Sequence, residues 1–243
     1  KLKVQCVIHL AFINGTRFFY EKPIEVLNVG LKGIINTLEL SKKYKVKKFI
    51  LASSSEVYQT PNHVPTSERE MLKVPDVYNP RYSYGAGKII SELLTINYGK
   101  KFFKKTIIFR PHNVYSEDMG NEHVIPQFIN KINKSKNRKI KIKGSGKEIR
   151  SFIHVEDFMN AFDLIFRKGK NLEIYNIGTM EKISIKKLAF LIAQTMKKKI
   201  NILTSDSFHG NTPIRCPEIK KIKRLGFKQK IKIKSGLKKI ISY

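Results

Sequence analysis

Tryptophan is absent from this sequence of 243 residues, and cysteine occurs only twice, as Cys6 and Cys216. The two cysteines are far apart and neither belongs to a Cys-x-x-Cys pair, so no disulfide framework and no metal site is expected. This cysteine usage favours a reducing, cytoplasmic environment. No apolar run reaches the ~18 residues that a membrane-spanning helix needs, and we expect no membrane partner.

Acidic residues are scarce: 19 Asp and Glu stand against 48 Lys and Arg, which gives a formal charge of +29. A charge of this size is also found in nucleic-acid-binding proteins. Only nine of the basic residues are Arg, and the lysines are spread along almost the whole chain, so solvated lysine faces explain most of the charge. Two concentrations, at 131–147 and 220–239, leave open the attraction of an anionic substrate or weak, salt-sensitive polyanion binding. A nucleic-acid partner is not expected.

In the first half of the chain, apolar and β-branched strands alternate with segments of helical spacing. Strands are predicted at 4–11, 48–53 and 106–110, with one helix opening at Pro23 and another around Tyr84. This alternation predicts an α/β fold, a parallel sheet covered by helices on both faces. Polar clusters follow two strand ends, and open α/β sheets bind their ligands at that edge.

Beyond about Ser116 the predicted elements become shorter. Ser184 is a plausible N-cap for one of the helices, and two short helices are expected around Gly226. The other predicted helices lie at 124–132, 153–166 and 185–196, and the short strands at 140–143, 174–177 and 200–202.

Tyr84 and Lys88 form a Tyr-x-x-x-Lys pair with small residues between them. Positions four apart lie on one helix face, so the two side chains would project together. An ammonium beside a phenol lowers the pKa of the phenol, which would make Tyr84 a usable base near neutral pH. Taken alone, such a pair is more often part of a solvated helix face.

Four motifs occur in a distinctive order along the chain. They are Ala52-Ser53-Ser54-Ser55-Glu56-Val57-Tyr58, Tyr84-x-x-x-Lys88, Arg110-Pro111-His112-Asn113-Val114-Tyr115, and the segment 144–157 that contains Arg150. This order and spacing resembles the extended short-chain dehydrogenase/reductase family, specifically the NAD-dependent nucleotide-sugar epimerases and dehydratases. The resemblance runs over essentially the whole chain.

The resemblance implies an incomplete Rossmann-like sheet followed by a smaller α+β region. Residues 1–115 would be the C-terminal portion of an NAD-binding Rossmann domain that carries the Tyr-x-x-x-Lys helix. Residues 116–243 would be mainly a substrate-binding domain, with strands that return to the sheet. Members of the family are commonly dimers through the helix that bears Tyr84 and the helix before it, so a homodimer is expected.

The resemblance also implies roles for individual residues. Tyr84 would take the proton of a sugar hydroxyl while hydride leaves the same carbon for NAD, Lys88 would hold the nicotinamide ribose, and Ser54 would hydrogen-bond the reacting oxygen. Further cofactor contacts are expected from His9, Leu10, Ala11, Ala52, Ser53 and Pro111. Substrate contacts are expected from Ser55, His112 and Asn113, and from Arg150 and Arg215, whose forked guanidinium groups suit a diphosphate. Each residue taken singly also has an ordinary structural interpretation, as a loop, cap or ion-pair residue.

The type of reaction is left open by the sequence. After oxidation at C4, the sugar can be re-reduced (epimerisation), lose water (dehydration) or, if it is a glucuronate, lose CO2 (decarboxylation). Glu56 is a candidate for a second catalytic base beside the keto group. We therefore expect Glu56→Gln to leave the first hydride transfer largely intact and to block the later step.

One feature of the family is not found in this sequence. The family begins with a strand and a Gly-x-x-Gly-x-x-Gly turn that holds the NAD pyrophosphate, followed by an acid that holds the adenosine ribose. Neither is present, and Gly30 stands where the family has an asparagine that contacts the cofactor. We expect a fragment, or a chain completed by another polypeptide, with impaired activity and an exposed, apolar edge strand at 4–10. A truncated, non-catalytic fragment that only binds the nucleotide-sugar is the alternative.

Overall fold

In a computed structural model, residues 3–205, 210 and 212–241 are described, and a parallel sheet lies at the centre of the fold. Over these residues the strands are β1 Cys6–His9, β2 Lys48–Ala52, β3 Lys105–Pro111, β4 Val114–Tyr115, β5 Lys139–Lys141, β6 Ile149–Ser151, β7 Ile153–His154, β8 Glu173–Ile177, β9 Lys182–Ser184 and β10 Asn201–Leu203. The helices are α1 Thr16–Glu21, α2 Pro23–Lys43, α3 Ser83–Phe102, α4 Val124–Lys134, α5 Val155–Lys168, α6 Ile185–Thr195, α7 Lys220–Arg224 and α8 Ile233–Ile241. Short 3₁₀ helices lie at Ser55–Tyr58 and Pro80–Tyr82.

The central sheet has the strand order β1-β2-β3-β8, and all of its pairings are parallel. Alternate residues of β2 point to opposite faces. Phe49 and Leu51 pack with α2 on one face, whereas Ile50 packs with the buried residues of α5 on the other. Because both faces are covered by helices, the predicted α/β architecture is confirmed, and β8 is a strand that returns to the sheet from the second half of the chain.

A second hydrophobic core lies beyond the central sheet, where α4, α6 and α8 pack together. Its fully buried side chains include Ile125, Leu188, Ile192 and Leu237. Three small two-stranded sheets, β4–β7, β5–β10 and β6–β9, flank this core. The predicted boundary near residue 116 stays a prediction.

Local sequence patterns predicted most of the helices and strands. Ser184 Oγ accepts the Lys187 N–H at 3.2 Å, so the predicted N-cap of α6 is confirmed. The helix predicted from residue 153 begins instead at Val155, because Ile153 and His154 pair with β4 and the His154 ring caps the helix. Helix α1 was not predicted: its six residues are too few to show a helical period.

Strand β1 is the edge of the central sheet over the described residues. Within β1, Ile8 is 41 % exposed, as expected for an apolar edge strand, and Val4 and Leu10 on either side of the strand are 50 % and 63 % exposed. Cys6 and Cys216 are free thiols. Within residues 3–205, 210 and 212–241, no helix is long and apolar enough to cross a membrane.

A buried ion pair ties the sheet to α3. Arg110, on β3, donates from Nε to Glu92 Oε1 at 2.8 Å and from Nη2 to Glu92 Oε2 at 2.6 Å. Ser53, at the end of β2, donates its hydroxyl to the same carboxylate. Arg110 Nη1 donates to the Tyr58 hydroxyl at 2.7 Å, and Tyr58 donates to Asn176 on β8 at 2.8 Å. This network fixes α3 and the 3₁₀ helix Ser55–Tyr58 against three neighbouring strands.

Replacing one partner of this pair should be strongly destabilising. Glu92→Leu leaves the Arg110 guanidinium buried without a counter-charge, and we expect the free energy of unfolding to fall by roughly 3–5 kcal/mol. Urea unfolding measures it. Asp163→Asn, which breaks the exposed Asp163–Arg167 pair, is the matched control and should cost no more than about 0.5 kcal/mol. Equal losses in the two variants would contradict the structural role of the network.

Candidate active site

Three neighbouring strands end at one edge of the sheet, and α3 brings two side chains to that edge. His9 ends β1, Ala52 ends β2 and Pro111 lies at the end of β3. Lys88 Nζ donates to the Ala52 carbonyl at 2.7 Å, and both Lys88 and Tyr84 are buried. The structure therefore brings together residues that are distant in sequence, as the motif order predicts.

The ring of Tyr84 is held between two phenylalanines. Phe12 meets it edge-on, with centroids 5.2 Å apart, and Phe19 stacks on it at 4.9 Å. Phe12 reaches this position because Gly30 on α2 and Gly87 on α3 leave room: a Cβ on either glycine would collide with its ring. The glycine at position 30, a departure from the family pattern, is thus required by the Phe12 ring.

The ionisation of Tyr84 differs from the expectation. The pKa of Tyr84 is raised to about 12: burial is the largest cause, a hydrogen bond with Ser54 opposes it, and the charge of Glu56 adds to it. The Lys88 ammonium lies 5.8 Å from the centre of the Tyr84 ring and points to the Ala52 carbonyl instead. The prediction that Lys88 makes Tyr84 a base near neutral pH is wrong for this structure, because burial is the largest influence on the Tyr84 pKa and the Lys88 ammonium is engaged by the Ala52 carbonyl.

Lys88 is itself perturbed by its surroundings. Burial lowers the pKa of Lys88 to about 8, although the charge of Glu92 opposes the shift. The ammonium lies 4.5 Å from the centre of the Phe12 ring, a cation–π contact that favours its charged form. Tyr84, Lys88 and Glu92 follow one another at intervals of four, so they line one face of α3.

The remaining residues predicted to contact the cofactor lie at the same edge, and they differ in their exposure and in whether their polar groups already have hydrogen-bond partners. The Ser53 hydroxyl donates to Glu92 and the Ser53 N–H donates to Phe109 O at 2.8 Å, so neither group has a hydrogen left to donate to a ligand. His9 is buried, and its Nε2 has no hydrogen-bond partner among the described residues. Leu10 and Ala11 are exposed.

Glu56, the predicted second base, is held by two arginines. Arg215 donates to both of its carboxylate oxygens, with Nη2 to Oε2 at 2.8 Å, and Arg81 Nη2 lies 3.4 Å from Oε2. Although burial raises the pKa of Glu56, the charges of Arg215 and Arg81 lower it to about 2. So acidic a carboxyl is a weak base, and the arrangement is better suited to anchoring the two guanidinium groups.

Arg150 and Arg215 are brought together, as expected of two residues that share a ligand. Ile149 on β6 forms a bridge with Ile214, which places Arg150 beside the segment that carries Arg215. Arg150 Nη1 donates to the Ile149 carbonyl at 2.8 Å. Burial, followed by the charge of Arg215, lowers the pKa of Arg150 to about 9.

The predicted substrate residues that remain are largely engaged within the protein. His112 Nε2 lies 3.2 Å from Asn176 Oδ1, and burial lowers the pKa of His112 to about 3, so the ring is neutral. Asn113 has a φ of 40° and donates its side-chain amide to Ser151 O at 2.8 Å. Ser55 is buried at the start of its 3₁₀ helix.

Sequence reasoning missed Arg81 and Phe12. Arg81 had a detectable signal, because it is one of only nine arginines in a lysine-rich chain and stands three residues before Tyr84. Phe12 had none, since its contacts with Gly30 and Gly87 depend on how two helices approach each other.

Comparisons with known proteins identify the family of the chain. The model of the NAD dependent epimerase/dehydratase family matches residues 1–178. The chain belongs to this family. It is 35 % identical over 193 residues to dTDP-D-glucose 4,6-dehydratase of Dictyostelium discoideum, an alignment covering 76 % of this chain and 43 % of that protein. It is 32 % identical to UDP-N-acetyl-alpha-D-glucosaminuronate decarboxylase of Bacillus cytotoxicus, covering 98 % of this chain and 75 % of that one.

A solved structure extends the similarity to the fold. UDP-glucose 4-epimerase of Thermotoga maritima, crystallised with UDP-glucose, superposes with a TM-score of 0.87 at 25 % identity. The alignment covers 98 % of this chain and 76 % of that one. The chain thus spans less than half of the Dictyostelium relative and about three quarters of the other two proteins.

The residues at the strand edge fit the nicotinamide end of NAD, the cofactor in the name of the family. Burial lowers the pKa of His9, and the nearby charge of Lys88 lowers it further. His9 Nε2 has no hydrogen-bond partner within the part of the chain that the structure describes. Such paired polar groups suit ribose hydroxyls. No residues of the sequence match the glycine-rich turn that would hold the pyrophosphate.

Removing the Lys88 charge should stabilise the fold in a pH-dependent way. The pKa of Lys88 is about 8 in the folded chain against 10.5 unfolded, so below pH 8 both states hold the proton and folding carries the full desolvation cost. We expect Lys88→Met to raise the free energy of unfolding by up to about 3 kcal/mol at neutral pH.

This advantage of Lys88→Met should shrink from pH 8 to 10.5, where the unfolded wild type still binds the proton that the folded chain has lost. Chemical unfolding at a series of pH values measures it. Lys101→Met, at an exposed position of the same helix, should show no such trend. A pH-independent gain for Lys88→Met would contradict the lowered pKa.

Proposed function

We propose that the chain acts on nucleotide-sugars as an NAD-dependent epimerase or dehydratase, through transient oxidation of the sugar at C4. The observation that carries the proposal is the convergence of Tyr84, Lys88 and Ser54 at the carboxyl edge of a parallel sheet. Open α/β folds bind ligands at this edge. Membership of the epimerase/dehydratase family supports the same conclusion.

Tyr84 is the group that exchanges a proton with the C4 hydroxyl in this proposal, and Ser54 hydrogen-bonds the same oxygen. NAD, when bound, supplies the hydride acceptor. A phenol with a pKa of about 12 is protonated at neutral pH, so in this proposal binding of cofactor and substrate has to lower the pKa of Tyr84 before it accepts the proton. Lys88 lies on the same helix face, and we assign it the nicotinamide ribose.

The arginines supply the contacts for the anionic part of the substrate. Arg150 and Arg215 lie close enough for the charge of Arg215 to lower the pKa of Arg150, a repulsion that an anion would relieve. A diphosphate matches the forked geometry of guanidinium groups. Ser55, His112 and Asn113 line the same region in this proposal, as residues that shape the site.

Two alternatives differ in chemistry. One is a chain that binds nucleotide-sugars without turnover. The second alternative is decarboxylation. Epimerisation, dehydration and decarboxylation all begin with the same oxidation at C4. An assay of that first step therefore separates the enzyme from the pure binder.

Substitution of the phenol should abolish this step. With NAD and a nucleotide-sugar carrying deuterium at C4, we expect the wild type to transfer deuterium to NAD and Tyr84→Phe to reduce the rate by about 10²–10⁴-fold, the range for loss of an acid–base group. The affinity for the nucleotide-sugar, measured by calorimetry, should change little. Tyr98→Phe, further along the same helix, is the control and should keep the wild-type rate.

Two outcomes would contradict the proposal. Binding of nucleotide-sugar by the wild type without deuterium transfer would leave only the non-catalytic alternative. Full activity of Tyr84→Phe would remove Tyr84 from the chemistry.

A homodimer in the cytoplasm belongs to the same proposal. Helices α2 and α3 pack side by side and carry exposed apolar side chains, among them Val29, Ile35, Ile90 and Leu93. An apolar patch shared by two adjacent helices is suited to self-association.

The dimer can be tested by light scattering coupled to gel filtration. We expect a dimer for the wild type and a monomer for Leu93→Glu, because burying a carboxylate in an apolar interface is costly. Leu203→Glu introduces the same charge at a similarly exposed leucine on β10 and should leave the dimer intact. A monomeric wild type would contradict this part of the proposal.

A further inference from the structure

The charge of Lys88 has few hydrogen-bond acceptors around it. An ammonium group has three N–H donors, and among the residues that the structure describes Lys88 makes one hydrogen bond, to the Ala52 carbonyl at 2.7 Å. The residue is 2 % exposed, so little water reaches it. Because burial with a single acceptor favours the neutral amine, the charged form depends on the other groups that face the ammonium.

Over the described part of the chain, the titratable groups around Lys88 supply little of this stabilisation. Glu92 raises the pKa of Lys88, but both Glu92 oxygens accept hydrogen bonds from Arg110, at 2.8 and 2.6 Å. The charge of Arg110 therefore offsets much of the Glu92 charge. His9, at the end of β1, is uncharged at neutral pH because burial and Lys88 lower its pKa. The phenol of Tyr84 is also uncharged at neutral pH.

The ring of Phe12 lies against the ammonium. Lys88 Nζ is placed over this ring, 4.5 Å from its centre, and the same ring meets Tyr84 edge-on with centroids 5.2 Å apart. The position of the ring is defined by two helices, since a Cβ on Gly30 of α2 or on Gly87 of α3 would collide with it. The face of an aromatic ring is its negative side and attracts a cation.

We propose that Phe12 is a positioning residue of the reaction site, whose ring keeps the Lys88 ammonium charged beside Tyr84. The proposal rests on the proposed function, in which Lys88 holds the nicotinamide ribose. A phenyl ring stabilises a cation without accepting a conventional hydrogen bond. The N–H donors that Lys88 does not use for the Ala52 carbonyl thus stay available to the hydroxyl groups of a ligand.

A titration of Lys88 with and without the ring tests this proposal. In protein labelled with ¹³C-lysine, the NMR signal of the Lys88 side chain is identified by its absence in Lys88→Met, and its pKa is read from a pH series. We expect about 8 in the wild type and a pKa lower by roughly 0.4–1.5 in Phe12→Leu. Leucine keeps the ammonium buried but has no π face.

Phe19→Leu is the matched control, because Phe19 stacks on the ring of Tyr84 at 4.9 Å, whereas the ring over which Lys88 lies is that of Phe12. We expect this variant to leave the pKa of Lys88 unchanged. Phe12→Met removes the ring with a side chain that adapts to the space around it, and should lower the pKa of Lys88 as Phe12→Leu does. Circular dichroism verifies that each variant is folded.

The consequence for the reaction is measured by the transfer of deuterium from sugar C4 to NAD over a range of pH. We expect the rate to fall as Lys88 loses its proton, since the neutral amine is the weaker hydrogen-bond donor. This fall should occur at lower pH in Phe12→Leu than in the wild type, in the same direction as the titration of Lys88.

The outcomes separate this proposal from the function on which it rests. An unchanged or raised pKa of Lys88 in Phe12→Leu would overturn it, because the ring would then only fill space. Equal decreases in Phe12→Leu and Phe19→Leu would overturn it too, since looser packing around Tyr84 would explain both. Superimposable pH–rate profiles of the wild type and Phe12→Leu would remove Phe12 from the reaction. A wild type that transfers no deuterium at any pH would contradict the proposed function instead, and the titration would still decide whether Phe12 holds the charge of Lys88.

Discussion

The buried ion pair between Arg110 and Glu92 is the interaction on which the site depends. It joins β3 to α3, and through Ser53 and Tyr58 it also holds the end of β2 and the turn that carries Glu56. Glu92 lies four residues after Lys88, so fixing its carboxylate fixes the rotation of α3. Removing either partner leaves a buried charge unpaired, which is far more costly than losing an exposed pair. Sheet, helix and turn are thereby held as one unit.

The same burial sets the chemistry of the side chains that this unit carries. Desolvation moves Tyr84 and Lys88 toward their neutral forms, with pKa values of about 12 and about 8. Glu56 moves the other way, to about 2, because two arginines more than offset its burial. The candidate site therefore holds a protonated phenol, a lysine with a pKa of about 8 and a carboxylate that is ionised at neutral pH.

The sequence was sufficient to predict the frame of the molecule and the proximity of three candidate site residues. Apolar strands alternating with helices predict the parallel sheet, and the motif order predicts that Ser54, Tyr84 and Lys88 meet. Other features depend on contacts that no local pattern encodes. Phe12 needs glycines on two different helices, and the pairing of Glu56 with Arg81 and Arg215 joins three distant segments. The ionisation of Tyr84 was mispredicted for the same reason, since burial is a property of the assembled fold.

The most direct test of this account compares stability and chemistry when both partners of the buried pair are replaced. Apolar residues of similar size often restore stability once the whole ion pair is gone. In Glu92→Leu/Arg110→Met, we predict that much of the stability lost in Glu92→Leu returns, whereas the transfer of deuterium from sugar C4 to NAD does not. Loss of the ion pair would still release Ser53, Tyr58 and the rotation of α3. A stable double variant that transfers deuterium at the wild-type rate would contradict the claim that this pair positions the site.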